Sequence, residues 1–353
     1  MNTPETTMLD SRQTAAQRGL TAWEWITNLL KSPVFIMFLV AIGLLAYGQS
    51  QNPNLMAEDN LKIMTRDTAI LGIAAIGVGF VIITGGIDLS VGSMVGFGGV
   101  MVAYLMKEYG WSIWGSVIGT LVMGAFIGLI HGLFVTKLKM HGFLITLVTM
   151  GLARGFILVI TESFPITGLT EEFKSIGQGY VYNLIPIPVI ICLVIAVLAL
   201  YLLRFTYIGR QIYAAGGNAE AARYSGVNVD RRIILAYIVS AVCAVVVGII
   251  QAARMGLGHP GTGEGYELLA IAACVLGGYS LMGGEGTVPG VVVGALLIGI
   301  LQNEMVILKV DPYYHKIIIY TVLLIAITID YGRRRWRTLM IASVIDSLRQ
   351  RRE

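Results

Sequence analysis

Ten apolar runs, at residues 34–49, 68–84, 91–106, 112–135, 143–161, 184–203, 233–253, 267–282, 289–308 and 314–331, leave this chain little choice of solvent. A bilayer core about 30 Å thick takes around 20 residues of helix per crossing, and most runs approach that length. Several are short or interrupted by glycine. Eight to ten spans fit the pattern, and we read ten. Charged residues make up only 13% of the 353 and hydrophobic residues 56%, whereas a soluble domain carries roughly a quarter charged residues. An exterior so poor in charge belongs in lipid. The expected fold is therefore an all-α polytopic membrane protein, with about ten transmembrane helices and glycine-rich broken or re-entrant segments.

The placement of charge tests the count, because Lys and Arg gather on the cytoplasmic side of a membrane protein. With the N-terminus inside and ten alternating helices, seventeen of the 25 Lys and Arg fall inside, among them Lys137, Lys139, Arg204, Arg210, Arg223, Arg231 and Arg232. Seven fall outside, and Arg154 lies within a helix. An odd number of helices before residue 204 would invert the bias. Both termini are thus expected in the cytoplasm: a tail over 1–33 with an interfacial helix at Trp23 and Trp25, a membrane domain over 34–331, and a basic tail over 332–353. The first run shows no small-residue cleavage site and is expected to remain as an anchor. Cys192, Cys243 and Cys274 sit in apolar runs, where an odd count argues for buried free thiols rather than a disulfide framework.

Two glycine-rich breaks, Gly85-Gly86-Ile87-Asp88-Leu89-Ser90 and Gly283-Gly284-Glu285-Gly286-Thr287, separate apolar runs with almost no room for a loop. Irregular backbone at membrane depth persists only where protein or a water-filled cavity surrounds it, so both breaks are candidate pore-lining elements. An offset of 198 residues aligns them, together with Gly79 and Gly277 and with Gly92 and Gly290. Either an internal repeat or the abundance of glycine explains the match. A repeat at this offset would run in the same direction, not inverted.

The longest inside connection, 204–232, is polar and basic. Within it Asn218 is a good N-cap, Ala219 to Tyr224 are mostly helix formers, and Ser225-Gly226 supplies a stop. A short rigid helix on the inner face is expected, and a partner could grip it.

Glu220-Ala221-Ala222 followed by Gly226 resembles the docking signature of ATP-binding-cassette (ABC) importer permeases. The longer string, with Gly216, Gly217, Asn218 and Arg223, is similar to the form found in the ribose/xylose/arabinose/galactose permease family. Three further segments agree in order: Gly85 to Ser93, Thr146 to Gly155, and Gly265 to Thr287. His141-Gly142-Phe143 and Asn303-Glu304 depart from the family pattern and bear on the solute rather than on docking. The resemblance implies a non-catalytic permease for a monosaccharide or related polyol, present as a homodimer or a pair of similar chains. It implies a sugar-type ATPase subunit that holds ATP and Mg, and a periplasmic binding protein that delivers solute.

Few polar groups lie in the runs. Arg154 either lines a pore or tethers its helix to backbone, since a charge at that depth needs a cavity or a partner. Asp88 reads more readily as a cap on local N–H groups than as a solute ligand. Ser93, Gln251 and Asn303 are further candidates for the solute path, with hydrogen bonding between helices as the alternative. Gly124, Gly128 and Gly132, spaced by four, form either a sliding face or a static seam. The four histidines show no metal-ligand spacing, and no G-x-x-x-x-G-K-[ST] phosphate cradle occurs. An ion-coupled carrier is the alternative function, but such carriers bury several acidic groups where these runs hold almost none.

Overall fold

A computed structural model describes residues 33–325 and 328. Trp23 and Trp25, the tails and the end of the tenth run lie outside the described residues. In chain order the helices are α1 (Pro33–Gln51), α2 (Glu58–Ile83), α3 (Val91–Lys107), α4 (Ile113–Lys137), α5 (Gly142–Thr161), α6 (Glu171–Gln178) and α7 (Ile187–Phe205). They continue with α8 (Tyr207–Gly217), α9 (Ala219–Tyr224), α10 (Val229–Met255), α11 (Tyr266–Leu276), α12 (Val288–Ile307) and α13 (312–325). Within the described residues every apolar run overlaps a helix. Among the described residues seven helices are long and apolar enough to cross a membrane, while α3 with 17 residues and α11 with 11 are shorter.

The core is built around α2 and α10. Residues 69–83 of α2 are buried without interruption, as befits a helix that is apolar on all sides. The seam of Gly124, Gly128 and Gly132 lies along α10: a methyl added at Gly128 would stand 2.6 Å from Tyr237 O, and one at Gly132 2.6 Å from Ile234 Cα. Small residues here let two backbones approach. The peripheral helices α4, α5 and α7 turn Val122, Phe126, Leu152, Val159, Val197 and Leu198 outward, which suits a lipid surround. All three cysteines are buried and free.

Contacts between loops sort them into two ends. One end joins Lys137 to Asp230 at 3.2 Å and Gly284 N–H to Ile83 O at 2.8 Å. The opposite end joins Asn60 to Asn303 at 2.8 Å, Lys107 Nζ to Gly168 O at 3.1 Å and Gln178 Nε2 to Arg254 O at 2.9 Å. Successive apolar helices therefore alternate in direction. The first of these ends carries the basic connection 204–232 and is called the basic end below.

Three expectations of detail are corrected. The connection 204–232 is mostly helix, with α8 and α9 in it and α10 starting at Val229. The run at 184–203 turns helical only at Ile187, because Pro186 precedes it and the chain before it forms a small hairpin of β1 (Tyr180–Val181) and β2 (Ile185–Pro186). The eighth run yields a helix only to Leu276. Gly278, Gly283, Gly284 and Gly286 then take positive φ, and no helix continues through them.

Candidate functional site

The basic end presents two short helices in sequence. Thr206 starts α8 by accepting from Gly209 N–H at 3.2 Å while donating to Leu202 O at 2.6 Å. Ile212 and Ala215 form its buried side. Tyr213 reaches inward to donate to Gly286 O at 2.7 Å, and burial pushes its phenol above the ordinary range, so it remains a neutral donor. Arg232 Nε donates to Gln211 Oε1 at 2.8 Å and ties α8 to α10.

Asn218 is extended and separates the two helices. Its Oδ1 accepts from Ala221 N–H at 2.9 Å, the expected cap of α9. Gly226, at φ +81, ends the helix by donating to Arg223 O at 2.9 Å, and Val227 N–H reaches Ala222 O at 3.0 Å. Ala222 is buried against Ala215 and Val229, whereas Glu220, Ala221, Arg223 and Tyr224 face outward. Arg223 pairs with Asp230 at 3.0 Å on the rim of a groove of about 370 Å³ that Gly226, Val227 and Asn228 also line.

The pair of helices rests on both glycine breaks. A methyl at Gly216 would collide with Ile83 O, and one at Gly283 would stand 2.8 Å from both Gly216 O and Gly85 N. Gly284 lies equally close, with a methyl there 2.8 Å from Gly217 Cα. Three glycine-rich segments from distant parts of the chain thus interlock backbone to backbone. Sequence reasoning placed α9 but missed α8, Tyr213 and this interlock.

Comparison with known proteins agrees with the geometry. The family described as "Branched-chain amino acid transport system / permease component" matches residues 60–327. The chain belongs to this permease family. The Ribose import permease protein RbsC of Haemophilus influenzae is 40% identical over 83% of this chain and 91% of its own length. Its Escherichia coli K12 counterpart is 38% identical over 90% and 98%. The D-allose transport system permease protein AlsC of E. coli K12 is 33% identical over 83% and 90%. No solved structure matches.

The five candidate solute-path residues of this multi-pass permease all have protein partners. Asp88, fully buried, accepts from Ser90 N–H at 2.9 Å, Ser90 Oγ at 2.6 Å and Ser240 Oγ at 2.7 Å. Ser93 donates to Met150 O at 2.7 Å. Arg154 donates to Pro260 O, to Thr262 O at 3.0 Å and to Gly92 O at 3.2 Å, which ties α5 to α3 and to the chain before α11. Gln251 bonds the Tyr266 hydroxyl at 2.8 Å. Asn303 exchanges amide bonds with Asn60 at the opposite end. Arg154, Ser93 and Asp88 gather around the start of α3, whereas Asn303 lies at the opposite end and Gln251 bonds Tyr266 at the start of α11.

Proposed function

We propose that the permease is the membrane subunit of an ATP-driven, binding-protein-dependent importer in the bacterial inner membrane, carrying a monosaccharide or related polyol into the cytoplasm by alternating access. The observation that supports this reading most directly is the seating of α8 and α9 on the backbone of both glycine breaks. A separate ATPase subunit of the sugar type, with its own ATP and Mg, grips α9 through Gly216, Gly217, Asn218, Glu220, Ala221, Ala222, Arg223 and Gly226. Closure of the ATPase pair displaces α8, and Ile83 and Gly284 move with it because no flexible side chain intervenes. The turns at 84–90 and 277–287 then shift α2, α3, α11 and α12 together.

The permease itself is non-catalytic and works as a homodimer, fed by a periplasmic binding protein and surrounded by lipid. Arg154 and Ser93 lie along the solute path, while Asp88, Gln251 and Asn303 hold the helices that form it. The family description names amino acids, but the relatives matched over most of their length are named for ribose and allose, and this favours a sugar.

The test uses the whole complex in proteoliposomes. Glu220→Lys leaves insertion intact, since Glu220 is exposed, and abolishes both solute uptake and solute-stimulated ATP hydrolysis. A thiol placed by Tyr224→Cys, at a site 92% exposed, labels only from the cytoplasmic side. Wild-type uptake in Glu220→Lys, or labelling from outside, defeats the docking assignment. Uptake that collapses with the proton gradient while ATP stays high points instead to an ion-coupled carrier.

A further inference from the structure

The eighth crossing is only half helix. From Gly256 to Gly265 the backbone is irregular, and α11 begins at Tyr266. Its depth can be read from α3 beside it. Gly258 packs at Ala103 and Val100, near the opposite end, while Gly263 lies against Val95 and Gly92. At 1.5 Å of rise per residue, Val95 lies about 18 Å below Lys107, the last residue of α3. The segment therefore descends from the opposite-end surface to the middle of the membrane. Arg154 fixes it there through Pro260 O and Thr262 O.

Irregular backbone at such depth is tolerated where protein buries it or water reaches it. Protein buries only part of it: Gly258, Pro260 and Gly263 are buried, whereas His259, Gly261 and Glu264 are exposed. The Glu264 side chain is 80% exposed, and Lys316 Nζ, itself 73% exposed, stands 4.0 Å from its Oε1. Hydrocarbon would strongly disfavour both charges. One turn further on, the half-buried Glu267 holds its carboxylate over Gly92, and the Tyr320 hydroxyl lies beside Gly265. Discontinuous helices with polar groups near mid-depth are where transporters place their solute sites.

We infer that residues 259–267 line a water-filled solute path, in which Glu264, with Glu267 behind it, accepts hydrogen bonds from the hydroxyl groups of the translocated polyol. This rests on the importer reading above and extends it to a solute-contacting residue. The chemistry suits the cargo: an ionised carboxylate only accepts, and its two oxygens can take neighbouring hydroxyls of one ring together. Arg154 gives three of its five donors to carbonyls, two of them in this segment, so it acts as a positioning residue for the segment. A loose partner such as Lys316 at 4.0 Å leaves Glu264 free to bind and release.

The test again uses the full complex in proteoliposomes. The native thiols are buried, so Glu264→Cys introduces the reactive one. A membrane-impermeant maleimide labels it at least ten times faster than Val197→Cys on the lipid face of α7, and ATP with sugar-loaded binding protein slows the reaction. Glu264→Gln lowers uptake about tenfold, the usual loss with a hydrogen bond to a charged group, while ATP hydrolysis stimulated by the binding protein persists. Labelling no faster than Val197→Cys in a complex that transports, or wild-type uptake by Glu264→Gln, overturns the inference. Labelling of Glu264→Cys with uptake indifferent to ATP keeps the water-filled path and defeats the importer reading instead.

Discussion

At the basic end Gly216, Ile83 and Gly284 meet through backbone atoms, whereas at the opposite end side chains tie Asn60 to Asn303, Lys107 to Gly168 O, Gln178 to Arg254 O and Arg254 to Asp67, beside a backbone bridge between Ile166 and Gly258 and the close approach of Gly177 to α10. The two kinds of contact respond differently to force. Backbone packed on backbone has no rotamer to absorb a displacement, so a push on α8 acts directly on α2 and the 277–287 turn. Side-chain bonds at a wet surface exchange with water at a net difference of about 0.5–1.5 kcal/mol each. They can part and re-form as that side opens. The main-chain interlock at the basic end is suited to transmit, and the side-chain ties at the opposite end to yield.

The sharpest way to break this contrast is Gly216→Val. Its added carbons have no room beside Ile83 O, and overpacking of this kind costs about 1–3 kcal/mol where neighbours cannot move aside. Uptake should fall by one to two orders of magnitude, with solute-stimulated ATP hydrolysis lost alongside. Gly217→Ala is the matched control, because a methyl there meets nothing within 4 Å. It leaves packing within the chain intact, so any loss of uptake from it reports on the partner's grip at this exposed position. Equal loss in both variants would mean that the region needs glycine for that grip, not for close approach.

A smaller effect is expected from Asn218→Ala. The substitution removes the acceptor for Ala221 N–H and leaves α9 frayed at its first turn, at a cost of about 1 kcal/mol. Stimulated ATP hydrolysis should drop about fivefold, and Asn218→Asp, which keeps a capping oxygen, should restore most of it. Unchanged hydrolysis in the alanine variant would show that the partner does not depend on the rigidity of α9.

What was legible in the sequence depended on whether a side chain carried the signal. Asn218 and Gly226 announce α9 by their own chemistry, and both ends of that helix fall where they were expected. The helix before it was hidden because Gly209, Gly216 and Gly217 read as breakers. In the fold Gly209 and Gly216 are instead the points where α8 lies on the carbonyls of Leu202, Leu203 and Ile83. Arg154 was visible as a charge needing a partner, but carbonyl oxygens leave no mark in a sequence, so Pro260, Thr262 and Gly92 could not be named. Hydropathy found the eighth crossing from its apolar second half. It was blind to residues 256–265, whose polar character is what suits them to a path through the bundle. The offset of 198 residues places both breaks in equivalent turns, each between a helix running toward the basic end and one running away, though α2 has 26 residues and α11 only 11.

The mildest test addresses the yielding end. Asn60 and Asn303 exchange amide bonds at 2.8 and 2.9 Å between the start of α2 and the end of α12, both half-buried. In a cycle of Asn60→Ala, Asn303→Ala and the double variant, thermal unfolding should give a coupling of about 0.5–1.5 kcal/mol, the range of an ordinary hydrogen-bonded pair. Uptake should stay within about twofold of wild type, because water replaces the lost partners at this surface. A large loss of transport in either single variant would mean that this end also carries force, and the division of labour between the two ends would have to be abandoned.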